Sequence, residues 1–422
     1  MTVTELRQQL PWQRPNATEA YAAEQLGVPA GRASGGYLAF PWASWIDVAR
    51  DHPAPAAPLL ARPAPEPLAS VGQHIEMLRH AALLRRCGVS DLFWSHATTG
   101  QHHHHGLRIH PFPLFPVRCA SHPPAEGEMP LHARRWLYSF QGVYRPELDL
   151  TPVRQWILAL PPRADALVEG RSEWHFEQQV YREQVHGEPP DPARHAELER
   201  EADSYVQTLR HSVFALCPSG SGPNSIRLWE ALGHGAIPVL LADTLALPGD
   251  PALWRQALVV APETAAAVAA LPARLEALAA DPAGLEAMAA AGRELWRRYG
   301  LPDFCADVRD FLRDPRTVLL AGARRRLAGA AAPPHLHRAA DPASLPLELC
   351  RVLVQLPQEQ PLLVEIVDGA PLPLLELRWR SALMLCRGLM AGRSWAISCR
   401  SAALEQLVLP EQDQRLATTT ST

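Results

Sequence analysis

The 422-residue chain contains no lysine; all 40 of its basic residues are arginine. A Walker lysine, a Schiff-base lysine and a lysine general base are therefore excluded. Its seven cysteines (Cys87, Cys119, Cys217, Cys305, Cys350, Cys386 and Cys399) are odd in number and never form a CxxC pair, which fits a reducing compartment. No stretch approaches the run of ~18 apolar residues that a membrane-crossing helix needs. The N-terminal MTVTELRQQLPWQRP also lacks a charged start followed by an apolar run. The expectation is a soluble, cytoplasmic protein with no transmembrane segment, for which peripheral membrane association stays open. A formal charge of −4 gives no reason to expect nucleic acid as a partner.

What is present is a globular composition, 47% hydrophobic and 20% charged, in a chain long enough for two domains and an appendage. The arginine-only usage, with Ala-rich and Pro-rich stretches, matches a GC-rich codon bias, although arginine also suits phosphate and carboxylate. GGYLAF (35–40) reads as the first strand, and the proline-dense stretch 51–67 as a loop. Val71 to Cys87 carries apolar residues at helical spacing. DLFW (91–94) and LRIHPFPLFPV (107–117) read as further strands, and the order argues for an open parallel sheet. After a turn-rich stretch, RRWLYSFQGVY (134–144) begins a second α/β unit. A charged helix from about Ala193 to Arg210 leads to the strand VFALC, and ALVVAP (257–262), Ala-rich helices and a helix from Leu295 to Leu312 follow. The expected domains are 1–130, 131–315 and an extension, 316–422, in which LLVEIVDG and SWAISC are strand-like.

The most informative segment runs from Phe214 to Pro248: a buried strand, a small-residue loop, a helix from about Ile226 and a second strand. The loop amides and first helical N–H groups lack intrahelical partners and attract an anion. Ser219, Gly220, Ser221, Gly222 and Ser225 are the candidate donors, and an ordinary turn with a helix cap is the alternative for some of them. Arg227 and Glu230, at i and i+3, share one helix face. A guanidinium there can hold a diphosphate and a carboxylate one turn later can accept ribose hydroxyls, whereas on an isolated helix the two would be a surface ion pair. Asp243, just past the next strand, either lines the pocket or starts a turn.

Ser212, Phe214, Leu216, Pro218, Gly220, Ser225, Arg227, Leu228, Glu230, Ala231, Leu232, Gly235, Ile237, Pro238, Val239, Asp243, Leu247 and Pro248 fall at the spacing of a known motif. With them the chain resembles the exostosin-like glycosyltransferases, and looks like a bacterial member. The resemblance is firm over residues 205–263 and fainter over 37–160. It implies an α/β fold of the GT-B type, with two Rossmann-like domains facing a cleft. The N-terminal domain would hold the acceptor and the C-terminal one a nucleoside-diphosphate sugar, with UDP the expected nucleotide.

The implied activity is inverting transfer of the sugar to a carbohydrate or lipid-linked glycan acceptor, in surface polysaccharide or lipopolysaccharide synthesis. No cofactor or metal is expected, since the chain has no D-x-D triplet; Arg227 and the helix end would take the cation's place. The four consecutive histidines His102 to His105 cannot all converge on one ion, so a solvated loop is expected there. The proton acceptor should lie just beyond first-lobe strands, which selects His96 and Asp47, with His74 and Glu76 close by. A catalytically inactive nucleotide-sugar or glycan-binding scaffold is the competing reading, and an epimerase or phosphorylase a third. Trp42, Trp45, Trp94 and Trp174 could stack on sugar rings or be core.

Overall fold

A computed structural model describes residues 10–51, 67–123, 129–171, 173–174, 177–327, 332–339, 344–367, 377–401 and 405. Most of the proline-dense stretch, 52–66, lies outside the described residues. The first sheet has six strands: β1 (Arg32–Ser34), β2 (Tyr37–Ala39), β3 (Ala69–Gly72), β4 (Asp91–Trp94), β5 (His103–His104) and β6 (Leu107–Pro111), in the order β1-β2-β3-β4-β6-β5. The inner pairs are parallel, and antiparallel hairpins close both edges. Alternate side chains of each strand enter opposite cores. Leu38, Leu92, Leu107 and Ile109 pack on one face, and Tyr37, Val71 and Phe93 on the other.

The second sheet is parallel throughout, in the order β11-β10-β9-β7-β8, from β7 (Trp136–Gly142), β8 (Ala166–Gly170), β9 (Ser212–Pro218), β10 (Ile237–Leu241) and β11 (Val259–Val260). Its central strands β9 and β10 are buried along their whole length, as a sheet covered by helices on both sides requires. Phe214, Leu216 and Val239 face one core, and Ala215, Cys217 and Leu240 the other, where Leu228 and Trp229 of the helix Ile226–Gly233 pack. The charged helix is Pro192–Arg210, capped by the Asp191 carboxylate on the amides of Ala193 and Arg194.

Two helical expectations need correction. Val71 lies in β3 rather than a helix, because Ala69–Gly72 pairs in parallel with Asp91–Trp94. The chain then turns on Gly72, where a Cβ would come 2.7 Å from the Met77 side chain, so helix begins only at Met77–His80 and Ala81–Arg86. The span from Leu295 to Leu312 is likewise broken. Helix Pro282–Tyr299 stops at Gly300, whose backbone is extended, and Pro302 precedes a fresh helix, Ala306–Arg313. That helix crosses back to the first lobe: Phe304, Val308 and Phe311 are buried in its core, with the Phe311 ring 5.6 Å from that of Phe93. Two Rossmann-like sheets joined by a returning helix form the GT-B architecture.

Beyond it stands a third parallel sheet, β12 (His335–Ala339), β13 (Leu362–Ile366) and β14 (Trp395–Cys399), with helices Leu345–Gln355 and Leu377–Met390. Arg108 of β6 ties this unit to the first lobe. Its guanidinium grips both Asp91 carboxylate oxygens (2.7 and 2.8 Å), and also reaches the carbonyls of Cys399 (2.7 Å) and Arg400 (2.9 Å) and the Glu405 carboxylate (3.2 Å). Burial opposes ionisation of Asp91, but the Arg108 charge and the bonds from His110 and Arg108 outweigh it and hold the carboxyl well below the usual range. His103 joins the same cluster, 3.1 Å from Glu405, and His104 meets the Leu78 carbonyl at 3.2 Å. The histidine run is thus a half-buried edge strand and not a solvated loop.

Removing Arg108 would take the bidentate partner from Asp91 and an ion-pair partner from Glu405, both 1% exposed or less, leaving them to His110 and Ser90 and to His103 and Arg326. Arg108→Leu is expected to lower stability by roughly 3–5 kcal/mol, read as a lower urea midpoint, and to make the C-terminal unit the first proteolytic target. An unchanged midpoint would refute the clamp.

Candidate active site

A cleft of about 690 Å³ opens between the two larger lobes at the carboxyl ends of their strands, where open α/β sheets bind ligands. β9 ends at Pro218, and the chain loops through Ser219–Ser225 into the helix Ile226–Gly233. Ser225 occupies the N-cap in extended conformation, its hydroxyl makes no capping bond, and no acidic residue lies in the first turn. The helix therefore presents its first amides and its positive dipole end without a local anion.

Gly220, Ser221, Gly222 and Ser225 all line the cleft. The two glycines are needed for close approach: a Cβ on Gly220 would fall 2.5 Å from Arg154 Nη2, and one on Gly222 2.5 Å from His96 Nδ1. Ser219 and Asp243 do not line it. The Ser219 hydroxyl bonds Glu263, and the Asp243 carboxylate accepts the Glu263 amide (3.1 Å) while its own amide donates to that glutamate (3.0 Å). Glu263, overlooked in the sequence, draws both residues into closing the strand ends.

Arg227 and Glu230 both line the cleft, and they are not within ion-pair distance of each other. The Arg227 guanidinium lies over the Phe140 ring, 4.6 Å from its centroid, and one terminal nitrogen donates to the Gln141 carbonyl. Its Nε and Nη1 are buried and have no partner. Glu230 is 1% exposed; one carboxylate oxygen accepts the Arg118 amide at 2.9 Å, and the Tyr205 hydroxyl bonds it as well. Burial raises its pKa, against the opposing pull of those bonds and of the Arg118 and Arg227 charges. The Asn224 side chain secures the turn before the helix, donating to the Ser95 carbonyl (2.6 Å) across the lobes and accepting from Trp229 Nε1 (2.9 Å).

The sequence reading missed most of the cleft's arginines. Arg154 bonds the carbonyls of Ser219 (2.8 Å) and Val143 (3.0 Å), with Asp149 as a loose counter-charge at 3.9 Å. Burial and the neighbouring Arg227 push its pKa down to about 10. Arg171 is shifted down by burial too, with Glu201 opposing and Arg227 adding to the shift. Arg145 and Arg171 follow directly on β7 and β8, so the carboxyl-end rule that selected Asp243 also points to them. Arg118 comes from the first lobe. The cleft holds an excess of guanidinium charge.

On the first-lobe wall stand His74, Glu76 and His96. Asp47 does not reach the cleft: its carboxylate accepts from Gln13 Nε2 (2.8 Å) and pairs with His74 Nε2 (3.2 Å), behind that ring. The cause is the helix Trp42–Asp51, which follows β2 directly and turns Asp47 inward. His74 Nδ1 accepts the Glu76 amide at 3.0 Å, so both its nitrogens are engaged. His96 Nδ1 is buried without a partner. Burial pushes this imidazole down to about 3, His74 adding to the shift and the Gln73 backbone opposing it. Trp42, Trp45 and Trp94 are core; Trp174 lines the cleft. Among the described residues no group of three or more His, Cys, Asp or Glu is placed to hold a metal ion, and no helix is long and apolar enough to cross a membrane.

Fold and site together define a two-lobed α/β protein of the GT-B class with an anion-seeking cleft. Residues 80–277, a little under half of the chain, match the model of the Exostosin GT47 domain. A probable glucuronosyltransferase, GUT1, of Oryza sativa subsp. japonica is 41% identical over 61 residues, 14% of this chain and 15% of that protein. A probable beta-1,4-xylosyltransferase, IRX10, of Arabidopsis thaliana is 41% identical over 54 residues, 13% of each. The chain thus spans a small part of the length of these plant relatives. A solved structure from Listeria monocytogenes described as a UDP-N-acetylglucosamine 2-epimerase aligns at 12% identity over 68% of this chain and 74% of that one, with a TM-score of 0.30. Over residues 80–277 the chain is thus similar to the Exostosin GT47 domain, and over short segments to plant proteins named for sugar transfer.

The depressed pKa of His96 fixes a sign. Below the unfolded value of about 6.5 the unfolded chain takes up a proton that the folded chain refuses, so stability falls as pH drops from there toward 3. His102 and His234, both pushed down to about 4, act in the same direction. His96→Gln is expected to reduce the acid slope by up to roughly 1.4 kcal/mol per pH unit, measured by urea titration at pH 7, 6 and 5. An unaltered slope would mean that His96 is not held neutral.

Proposed function

We propose that this protein is an inverting glycosyltransferase whose donor is a nucleoside-diphosphate sugar, with UDP as the nucleotide. The observation that carries this is Arg227, a buried guanidinium with two unpaired N–H groups at the uncapped start of a helix. That arrangement suits a diphosphate, in the ground state and still more as charge grows on the departing group. Glu230, one turn further on, suits the ribose hydroxyls, and its pairing with backbone and tyrosine donors fixes its position without spending the charge on an arginine. The acceptor is a carbohydrate or lipid-linked glycan, and the setting a cytoplasmic step of bacterial surface-polysaccharide or lipopolysaccharide synthesis. The short plant matches to proteins named for glucuronosyl and xylosyl transfer support sugar transfer as the reaction class.

His96 is the proposed proton acceptor. It is the cleft histidine with an unengaged nitrogen, and a bound diphosphate would raise its basicity. Gly222 covers that nitrogen, an observation that favours the second reading, a nucleotide-sugar-binding scaffold. Release of free nucleoside diphosphate from a panel of nucleotide sugars separates the two.

Arg227→Ala is expected to weaken UDP binding by on the order of a hundredfold, measured by calorimetry. Glu230→Gln should weaken UDP while leaving pyrophosphate unaffected. Equal losses for the two ligands would remove the ribose role, and an unchanged affinity in Arg227→Ala would remove the diphosphate role.

A further inference from the structure

Arg118 is the cleft's unexplained charge. It sits in the short helix Val117–Ser121 that follows the carboxyl end of β6, so it belongs to the first lobe. Its backbone amide holds Glu230 of the second lobe at 2.9 Å. The residue is 7% exposed and lines the cleft, yet among the described residues its guanidinium has no hydrogen-bond acceptor and no carboxylate within ion-pair distance. Glu230 is the carboxylate that feels its charge, and the same carboxylate feels Arg227. Two guanidinium groups from opposite lobes thus share one buried carboxylate that neither engages directly. A largely buried cation with no protein partner is left to the solvent of the cleft it lines, and an anion entering that cleft would pair with it. One carboxylate cannot match two arginines, with Arg154 only loosely paired beside them. A ligand that matches these guanidinium groups therefore carries at least two negative charges close together.

We propose that Arg118 is a second diphosphate-binding residue, supplied across the cleft by the first lobe, so that a bound diphosphate is gripped by Arg227 on one side and Arg118 on the other. This rests on the donor-site reading above and adds to it: the donor, and not protein contact alone, completes the junction between the lobes. Bidentate guanidinium geometry suits the non-bridging oxygens of adjacent phosphates, a match that lysine does not reproduce.

The test uses the full chain and inorganic pyrophosphate, UDP and uridine in calorimetry. Arg118→Gln should weaken pyrophosphate and UDP by on the order of tenfold to a hundredfold and leave uridine unchanged. Arg118→Lys should lose less than the glutamine variant. Without ligand the melting temperature of Arg118→Gln should equal or exceed that of the parent, because the removed charge had no partner. Unchanged pyrophosphate affinity in Arg118→Gln, no pyrophosphate binding by the parent, or a lower melting temperature in both variants would each overturn the proposal. If pyrophosphate binds through Arg118 but UDP binds no better than pyrophosphate, the clamp stands and the UDP reading falls.

Discussion

The hydrogen bond from the Asn224 side chain to the Ser95 carbonyl ties the two large lobes together at the cleft. It reaches from the turn before the cleft helix to the end of a first-lobe strand, and Trp229 holds the asparagine from behind. Around this bond cluster the other crossings. The Arg118 amide meets Glu230, Gly222 fits beneath His96, and the segment Ala97–Thr99 bonds backbone to backbone with Thr244–Ala246. A buried amide-to-carbonyl contact of this kind tolerates little displacement, since either group left unpaired is penalised. These crossings, with the apolar core that the helix Ala306–Arg313 shares with the first lobe, set the distance between the cleft walls.

That junction gives the cleft helix two duties. Its apolar face, Leu228, Trp229 and Leu232, is core of the second lobe. Its other face carries Arg227 and Glu230 into the cleft. A helix of eight residues has little stability of its own, so its orientation is set by the packing of Trp229 against Trp254 and Tyr299. The charge pattern fits this rigidity. Arginines converge from the ends of β7 and β8, the short helix after β6 and the cleft helix itself; Arg145 and Arg171 are paired with Glu177 and Glu201, while Arg227 keeps two nitrogens without a partner, so the field in the cleft is built into the fold.

Much of this was legible in the sequence. Strands such as VFALC and IPVLL, buried on both faces, announced themselves by continuous apolar runs, and the small-residue loop followed by Arg227 and Glu230 marked the phosphate-seeking end. What escaped notice depended on contacts distant in the chain. Val71 reads as helical until Asp91–Trp94 is available to pair with its strand. Ser219 and Asp243 look like pocket residues until Glu263 turns them aside. Asp47 sits at a promising position by strand counting, but the helix that carries it buries its carboxylate against Gln13 and His74. Arg118, Arg154 and Arg171 are unremarkable in sequence because nothing local distinguishes a guanidinium that will face a cleft from one that will be solvated.

The ionic knot at Arg108 has a mechanical consequence. Because its bonds run to Asp91 on one side and to the Cys399 and Arg400 carbonyls and the Glu405 carboxylate on the other, the third sheet is fastened to the first lobe through directional bonds, where an apolar surface could slide. If the cleft opens by rotation between the lobes, the C-terminal unit travels with the first lobe as one rigid mass. The hinge then carries an asymmetric load, with the helix Ala306–Arg313 and the junction at Asn224 bearing the strain between a heavy half and a light one.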